Sequence, residues 1–174
     1  LELTQLEMDS MADGVHKYTQ TWFRLDQRYR KFIHHARESG QASLLQGLNH
    51  QVENLYTNNY LSRLNVRWQQ FVDACQRWEA APVVSQPLFF PRFVRPYLER
   101  KSKVCVLISD GFRYEVGEEL QSLIRREDRF DAELVPALAC LPSYTQLGMA
   151  SLLPHQTLQL DEDGSGEALV DGIN

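Results

Sequence analysis

The stretch Lys103-Val-Cys-Val-Leu-Ile-Ser-Asp110-Gly-Phe-Arg113 decides the reading of this chain. Val104 to Ile108 form an unbroken apolar run, the pattern of a strand buried on both faces of a parallel sheet. Asp110 stands where that strand would emerge, and Gly111 turns the chain. In open α/β sheets ligands bind beyond the carboxyl ends of the strands. A carboxylate at that edge is a candidate metal ligand or catalytic group. The competing reading is a cap for the next helix, since Asp is a common N-cap.

The residues that follow continue an α/β pattern. Val116, Leu120, Leu123 and Ile124 recur at helical spacing. Glu115, Glu118 and Glu119 lie early in this helix and Arg125-Arg126 late, which complements the helix dipole. Asp131-Ala-Glu-Leu-Val-Pro136 begins a second strand. Ser143 or Thr145 opens another helix through Leu147, Met149 and Leu152. Short βαβ connections favour a parallel sheet. Two adjacent parallel strands would then deliver Asp110 and Thr145 to one sheet edge. A metal held by Asp110 would activate the Thr145 hydroxyl, and a helix N-terminus there would offer N–H groups to a phosphate.

The first hundred residues are helical in pattern. Met11, Val15, Tyr18, Trp22, Leu25, Tyr29, Phe32 and Ala36 follow steps of four and three, one face of a long helix. Gly14 is a point of weakness in it and Gly40 a stop. A second stripe runs through Leu45, Leu48, Val52, Leu55, Leu64, Trp68, Phe71, Cys75 and Trp78, with Asn58-Asn59 as an interruption. Two long antiparallel helices joined near Gly40 would bury these faces together. Pro82, Pro87, Pro91 and Pro96 then mark an extended connecting segment. Its Leu88-Phe89-Phe90 and Phe93-Val94 are too apolar for a free linker. The expected division is a helical region 1–80, a proline-rich segment 81–102 and an α/β part 103–174.

Bulk composition narrows the classes. The chain has 174 residues, 43% hydrophobic and 24% charged, as a globular protein does. No apolar run reaches the roughly 18 residues needed to span a bilayer, and no signal peptide is visible. Cys75, Cys105 and Cys140 contain no CxxC pair, which argues against zinc-finger or thioredoxin-like chemistry. Three widely spaced thiols suit a reducing, cytoplasmic setting, and two of them lie in apolar runs as small hydrophobes. The opening Leu1 and the closing Gly172-Ile173-Asn174 suggest a piece of a longer chain. Residues 1–100 carry 12 Lys+Arg against 10 Asp+Glu, a net of +2, while residues 101–174 carry 6 against 13, a net of −7.

The two motifs together are specific. Val106-Leu-Ile-Ser-Asp110-Gly-Phe-Arg113-Tyr-Glu115-Val116 resembles the first signature of the PglZ domain. Leu141-Pro-Ser-Tyr-Thr145-Gln-Leu-Gly-Met149-Ala-Ser-Leu-Leu-Pro154 is similar to its second. The resemblance covers roughly residues 100–174. It implies an α/β, alkaline phosphatase-like core with a parallel sheet, and a component of a BREX phage-defence system acting as a metal-dependent phosphoesterase. By position, it implies Asp110 as ligand of a divalent metal, usually zinc, and Thr145 as nucleophile and metal neighbour. The family's remaining Asp and His ligands come later in the chain, so catalysis by residues 1–174 alone is not expected. His155 is read as a surface residue. The implied partners are other BREX components, such as BrxB or the PglX methyltransferase, with DNA as a further candidate and no membrane.

Other features carry weaker readings. Arg113 is a candidate for bidentate phosphate binding, against a salt bridge to Glu115 or Glu118. Arg24, Arg28 and Lys31, with Tyr29 and Phe32 between them, are candidate nucleic-acid contacts, against a solvated helix face or a partner surface. Asp161-Glu-Asp163-Gly164 lacks the twelve-residue EF-hand pattern and reads as a solvated loop. A second functional class stays open: a non-catalytic docking module whose helical half binds another defence protein.

Overall fold

The helical stripes fold as helices, interrupted by turns of wider pitch. The computed structural model describes residues 6–161 and 165–173. Helix α1 (Met11–Lys17) passes through a π-helical turn at Tyr18–Trp22 into α2 (Phe23–Glu38). Ser10 caps the start, its hydroxyl accepting from the Asp13 N–H. Gly40, with φ of 64°, follows the end of α2 in the left-handed conformation that glycine adopts without strain. Helix α3 (Ala42–Asn54) then runs through a second π-helical turn at Leu55–Leu61 into α4 (Ser62–Ala74).

Two compact units divide the chain. The first comprises residues 1–78 and 113–134, the second residues 79–112 and 135–174. These units interleave along the sequence, whereas the expected division at residues 80 and 102 is linear.

In the first unit, contacts pair late residues of the first helix with early ones of the second. Tyr29 stacks on Tyr56 at 3.8 Å, the Tyr60 hydroxyl meets the Trp22 carbonyl at 3.4 Å, and Arg67 reaches Glu7 at 3.1 Å. Met8, Trp22 and Tyr60 are buried at the centre, with Tyr18, Leu25, Leu64, Trp68 and Phe71 packed around them. Trp22 closes the first π turn, where the wider pitch disturbs the regular ladder of carbonyl acceptors. Tyr56 and Tyr60 face the core, whereas Leu48 and Leu55 of the expected stripe are exposed at 47% and 43%. Asn58 and Asn59 lie within this turn without breaking the helix.

Polar groups organise the same seam. The Asp26 carboxylate accepts hydroxyl hydrogens from Tyr18 at 2.6 Å and from Tyr56 at 2.9 Å. Burial, followed by this bond to Asp26, pushes the Tyr18 hydroxyl far above its ordinary pKa, so it remains a donor. Gly14 also belongs to the packing. A Cβ there would meet Met8 Sδ at 2.8 Å and the Trp68 ring at 3.3 Å.

Helix α6 (Tyr114–Ile124), expected beside the sheet, belongs to this first unit. Its Glu115 is 1% exposed and accepts two bonds from Arg30 Nε and one from Arg30 Nη2, at 2.9–3.0 Å. Arg30 also pairs with Glu119, which Lys31 meets at 2.9 Å. The neighbouring carboxylates, Glu115 foremost, hold the Arg30 guanidinium firmly charged. Tyr114 donates to the Thr19 carbonyl at 3.4 Å and packs edge-on against Phe23.

The second unit departs most from expectation. Its sheet is a parallel two-stranded pair, β1 (Val84–Ser85) with β2 (Ala137–Leu138), in register Val84↔Ala137 and Ser85↔Leu138. Strand β1 lies inside the proline-rich segment, which continues through a turn at Gln86–Leu88 and a π-helical turn at Phe90–Val94 into α5 (Arg95–Glu99). Helix α7 (Thr145–Leu152) leads to the antiparallel pair β3 (Leu158–Leu160) and β4 (Ala168–Val170). Leu147, Ala150 and Ala168 form a buried cluster here. The expected strand at 103–109 has no ladder partner among the described residues, and every residue of it is exposed. Leu107 is 92% exposed, and Cys105 lies on the surface rather than in a core. An apolar run becomes a buried strand only where neighbouring strands satisfy its N–H and C=O groups, and β1 and β2 pair with each other. The expected strand start at 131–136 shifts to 137. Within Asp161-Glu-Asp163-Gly164, residues 162–164 lie outside the described residues.

Two predictions follow from the Arg30 cluster. Removing Arg30 strands a buried carboxylate, but the side chain of Arg30 is 43% exposed, which discounts the full cost of a broken buried pair. Arg30→Met should therefore lower stability by about 2 kcal/mol in denaturant unfolding. Lys31, then Arg30, depress the pKa of Glu119. A depressed carboxylate contributes stability that is fully present above its unfolded pKa of about 4.3. That contribution is lost as pH falls through the lower folded value. Melting temperatures taken from pH 7 down to pH 3 should decline, and Glu119→Gln should decline less steeply.

Candidate active site

Asp110 and Thr145, 35 residues apart in sequence, meet in the second unit. Thr145 Oγ1 lies 3.4 Å from both Asp110 Oδ1 and Asp110 Oδ2. Both residues are exposed to solvent. Asp110 does not cap a helix. It occupies a turn with Gly111, whose φ of 62° is the left-handed conformation expected of that glycine. The turn directly follows residues 103–109, so the carboxylate stands at the end of the apolar run as the sequence suggests.

Thr145 is the first residue of α7. Tyr144, in extended conformation, precedes it as N-cap and makes no side-chain capping bond. The hydroxyl of Tyr144 donates instead to the Gly166 carbonyl, in a close contact. The first N–H groups of a helix have no intrahelical acceptor, so the start of α7 presents donors beside the Thr145 hydroxyl. The helix is seated by Leu147 and Ala150 in the buried cluster. Ser151, fully buried, donates to the Gly148 carbonyl at 2.7 Å.

A further residue, missed in the sequence, braces this segment. Gln86 Nε2 donates to the Gly148 carbonyl at 3.1 Å, and Gln86 Oε1 accepts from the Cys140 N–H at 3.1 Å. The only available signal was its place before Pro87, where the backbone cannot donate.

The oxygen pair suits part of a divalent-metal site. Zinc–oxygen distances of about 2.0–2.2 Å set neighbouring ligand oxygens about 3.3–3.6 Å apart in a tetrahedron, a range that includes the 3.4 Å found here. Among the described residues no group of three His, Cys, Asp or Glu side chains is placed to hold a metal. His155, read as a surface residue, is partly exposed, with Nδ1 2.7 Å from the Leu153 carbonyl.

The other candidates separate. Arg113 is exposed and precedes α6; it forms no salt bridge with Glu115, which Arg30 holds, nor with Glu118, which accepts from Gln27 Nε2 at 3.0 Å. Of the basic residues on the first helix, Lys31 is engaged by Glu119 and Arg24 lies over the Phe23 ring, while Arg28 is exposed. The 24–37 stretch is therefore partly neutralised within its own unit. Among the described residues no helix is long and apolar enough to cross a membrane.

Comparison with known proteins bears on residues around both motifs. Residues 89–174 match the family described as the BREX system PglZ alkaline phosphatase-like domain. The chain is 41% identical over 164 residues, 90% of its length, to the alkaline phosphatase-like protein BrxZ of Escherichia coli O9:H4 (strain HS). It is 34% identical over 148 residues, 84% of its length, to the alkaline phosphatase-like protein PglZ of Bacillus cereus (strain H3081.97). It spans 19% and 17% of the lengths of these two relatives. No solved structure matches the chain.

Proposed function

Because the chain belongs to the PglZ family, we propose that it forms part of a metal-dependent phosphoesterase, a component of a cytoplasmic BREX phage-defence system, with Thr145 as nucleophile and Asp110 as metal ligand. The observation that carries this reading is the approach of the Thr145 hydroxyl to the Asp110 carboxylate at the uncapped start of α7. Both groups lie within the residues that match the alkaline phosphatase-like domain.

In this reading Thr145 Oγ1 attacks phosphorus, the ester oxygen leaves, and a phosphothreonine forms that water then hydrolyses. Asp110 orients the hydroxyl before attack. The N–H groups at the start of α7 receive the phosphoryl oxygens. A divalent ion, zinc by family resemblance, would be held by Asp110 and Thr145 and would lower the pKa of the hydroxyl. Its remaining ligands are assigned to the longer protein of which the relatives' lengths are a measure. The same longer protein is proposed to cover the exposed run 104–108 with flanking strands and so complete the parallel sheet.

The reading predicts that, in the full-length protein supplied with zinc, Asp110→Ala and Thr145→Ala each reduce hydrolysis of bis(p-nitrophenyl) phosphate about a thousandfold or more. Wild-type rates in both variants would remove the catalytic assignment.

One observation favours a second role for the helical half. Leu44, Leu48 and Leu55 recur along one helix at 79%, 47% and 43% exposure, with Val66 at 63% beyond them. Such a stripe suits a protein partner, and BrxB or the PglX methyltransferase is the proposed class. Pull-down of these components with the full-length protein should fall at least tenfold on Leu44→Glu with Leu48→Glu. Unchanged recovery would exclude this surface.

A further inference from the structure

We propose that Gln86 is a positioning residue, whose amide clamps the Cys140–Gly148 segment and thereby holds the Thr145 hydroxyl beside Asp110. The inference rests on the reading of Thr145 as nucleophile and adds a determinant outside both sequence motifs.

The hydroxyl–carboxylate contact cannot fix its own geometry. At 3.4 Å to each oxygen it is far longer than the 2.7–2.8 Å of a typical O–H···O bond. Something else must hold the segment that carries Thr145. That segment has few internal restraints: Pro142 has no N–H, and Tyr144 makes no capping bond. Its internal backbone bonds beyond the helix are Tyr144 N–H to Pro142 O at 3.1 Å and Gly148 N–H to Tyr144 O at 3.0 Å.

From outside, Tyr144 is tied to the Gly166 carbonyl and packed on the buried cluster, and Gln86 supplies the restraint that spans the segment from end to end. It follows directly on β1, whose buried Val84 pairs with Ala137 and whose Ser85 pairs with Leu138. The ladder stops there, because the chain enters a turn at Gln86, and Pro87 after it has no N–H to donate. The Cys140 N–H, lying beyond the last rung, is met by the Gln86 side chain instead of by a backbone carbonyl. The other arm of the same amide donates to Gly148, four residues into α7. One side chain thus joins the entry of the loop to the first turn of the helix, with Thr145 between them. An amide serves both ends, since it carries a donor and an acceptor on separate atoms. A displacement of about 1 Å in a reacting group costs about a hundredfold in rate.

The test uses Gln86→Met in the full-length protein, which keeps the side-chain bulk and removes both bonds. Two readouts are taken: amide hydrogen exchange by mass spectrometry, and zinc-supplemented hydrolysis of bis(p-nitrophenyl) phosphate. Exchange across 140–148 should quicken about tenfold, with 158–160 and 168–170 unchanged. The kcat should fall about 10- to 100-fold with KM within twofold. Unchanged exchange overturns the clamp. Unchanged kcat, in an enzyme that Thr145→Ala inactivates, overturns the positioning role. Should Thr145→Ala leave hydrolysis intact, the nucleophile reading fails, the positioning role falls with it, and exchange alone decides whether Gln86 clamps the loop. If Gln86→Met does not fold, Gln86→Glu, which keeps the acceptor and loses the donor, is judged by the same measurements.

Discussion

A carboxylate that is 1% exposed must be paired or neutralised, and Glu115 is paired. Arg30 reaches it with three bonds from a helix 85 residues earlier, and that requirement draws α6 into the helical unit. Tyr114 reinforces the seating through Thr19 and Phe23. The consequence runs through the first motif. Its Tyr-Glu end is structural in the first unit, whereas its Asp-Gly end lies in the second and meets Thr145. One short signature therefore serves two different physical tasks. Sequence resemblance alone does not distinguish a residue that meets Thr145 from one that secures a helix.

The helices were legible because their apolar spacing is long and regular. Trp22, Leu25, Leu64, Trp68 and Phe71 all pack at the centre, as a 3.6-residue period requires. What the period did not reveal was the turn at Leu55–Leu61. Within that turn Tyr56 and Tyr60 face inward, whereas Leu55 at its start and Leu48 in the helix before it are exposed. No residue type announces a π turn; it is selected by the tertiary contacts it permits, here Tyr29 on Tyr56 and Tyr60 on Trp22. The acids of α6 were read as dipole complements. Their pairing with Arg30 and Lys31 depends on three-dimensional proximity that spacing within one helix does not contain.

The approach of Asp110 and Thr145 was legible in the sequence, whereas the contacts of Gln86 were not. Asp110 and Thr145 were joined by the logic of strand tips and helix starts, and their side chains do approach. Gln86 lies in a segment that reads as a proline-rich connector, and a lone glutamine has no sequence signature. The strand at 103–109 shows the opposite failure. Its composition specifies burial, but burial is a property of neighbours, and the described residues do not provide them. The tendency to form a strand is written locally; its hydrogen-bond partners are not.

That exposed run gives the charge asymmetry of the chain a colloidal meaning. Val104 to Ile108 present apolar side chains and backbone groups without ladder partners among the described residues, which is a template for pairing between molecules. The net charge of −7 across residues 101–174 opposes such encounters by mutual repulsion. This repulsion reaches only about 8 Å at physiological ionic strength and shortens as salt rises. Ionic strength therefore sets how strongly these 174 residues, on their own, repel one another.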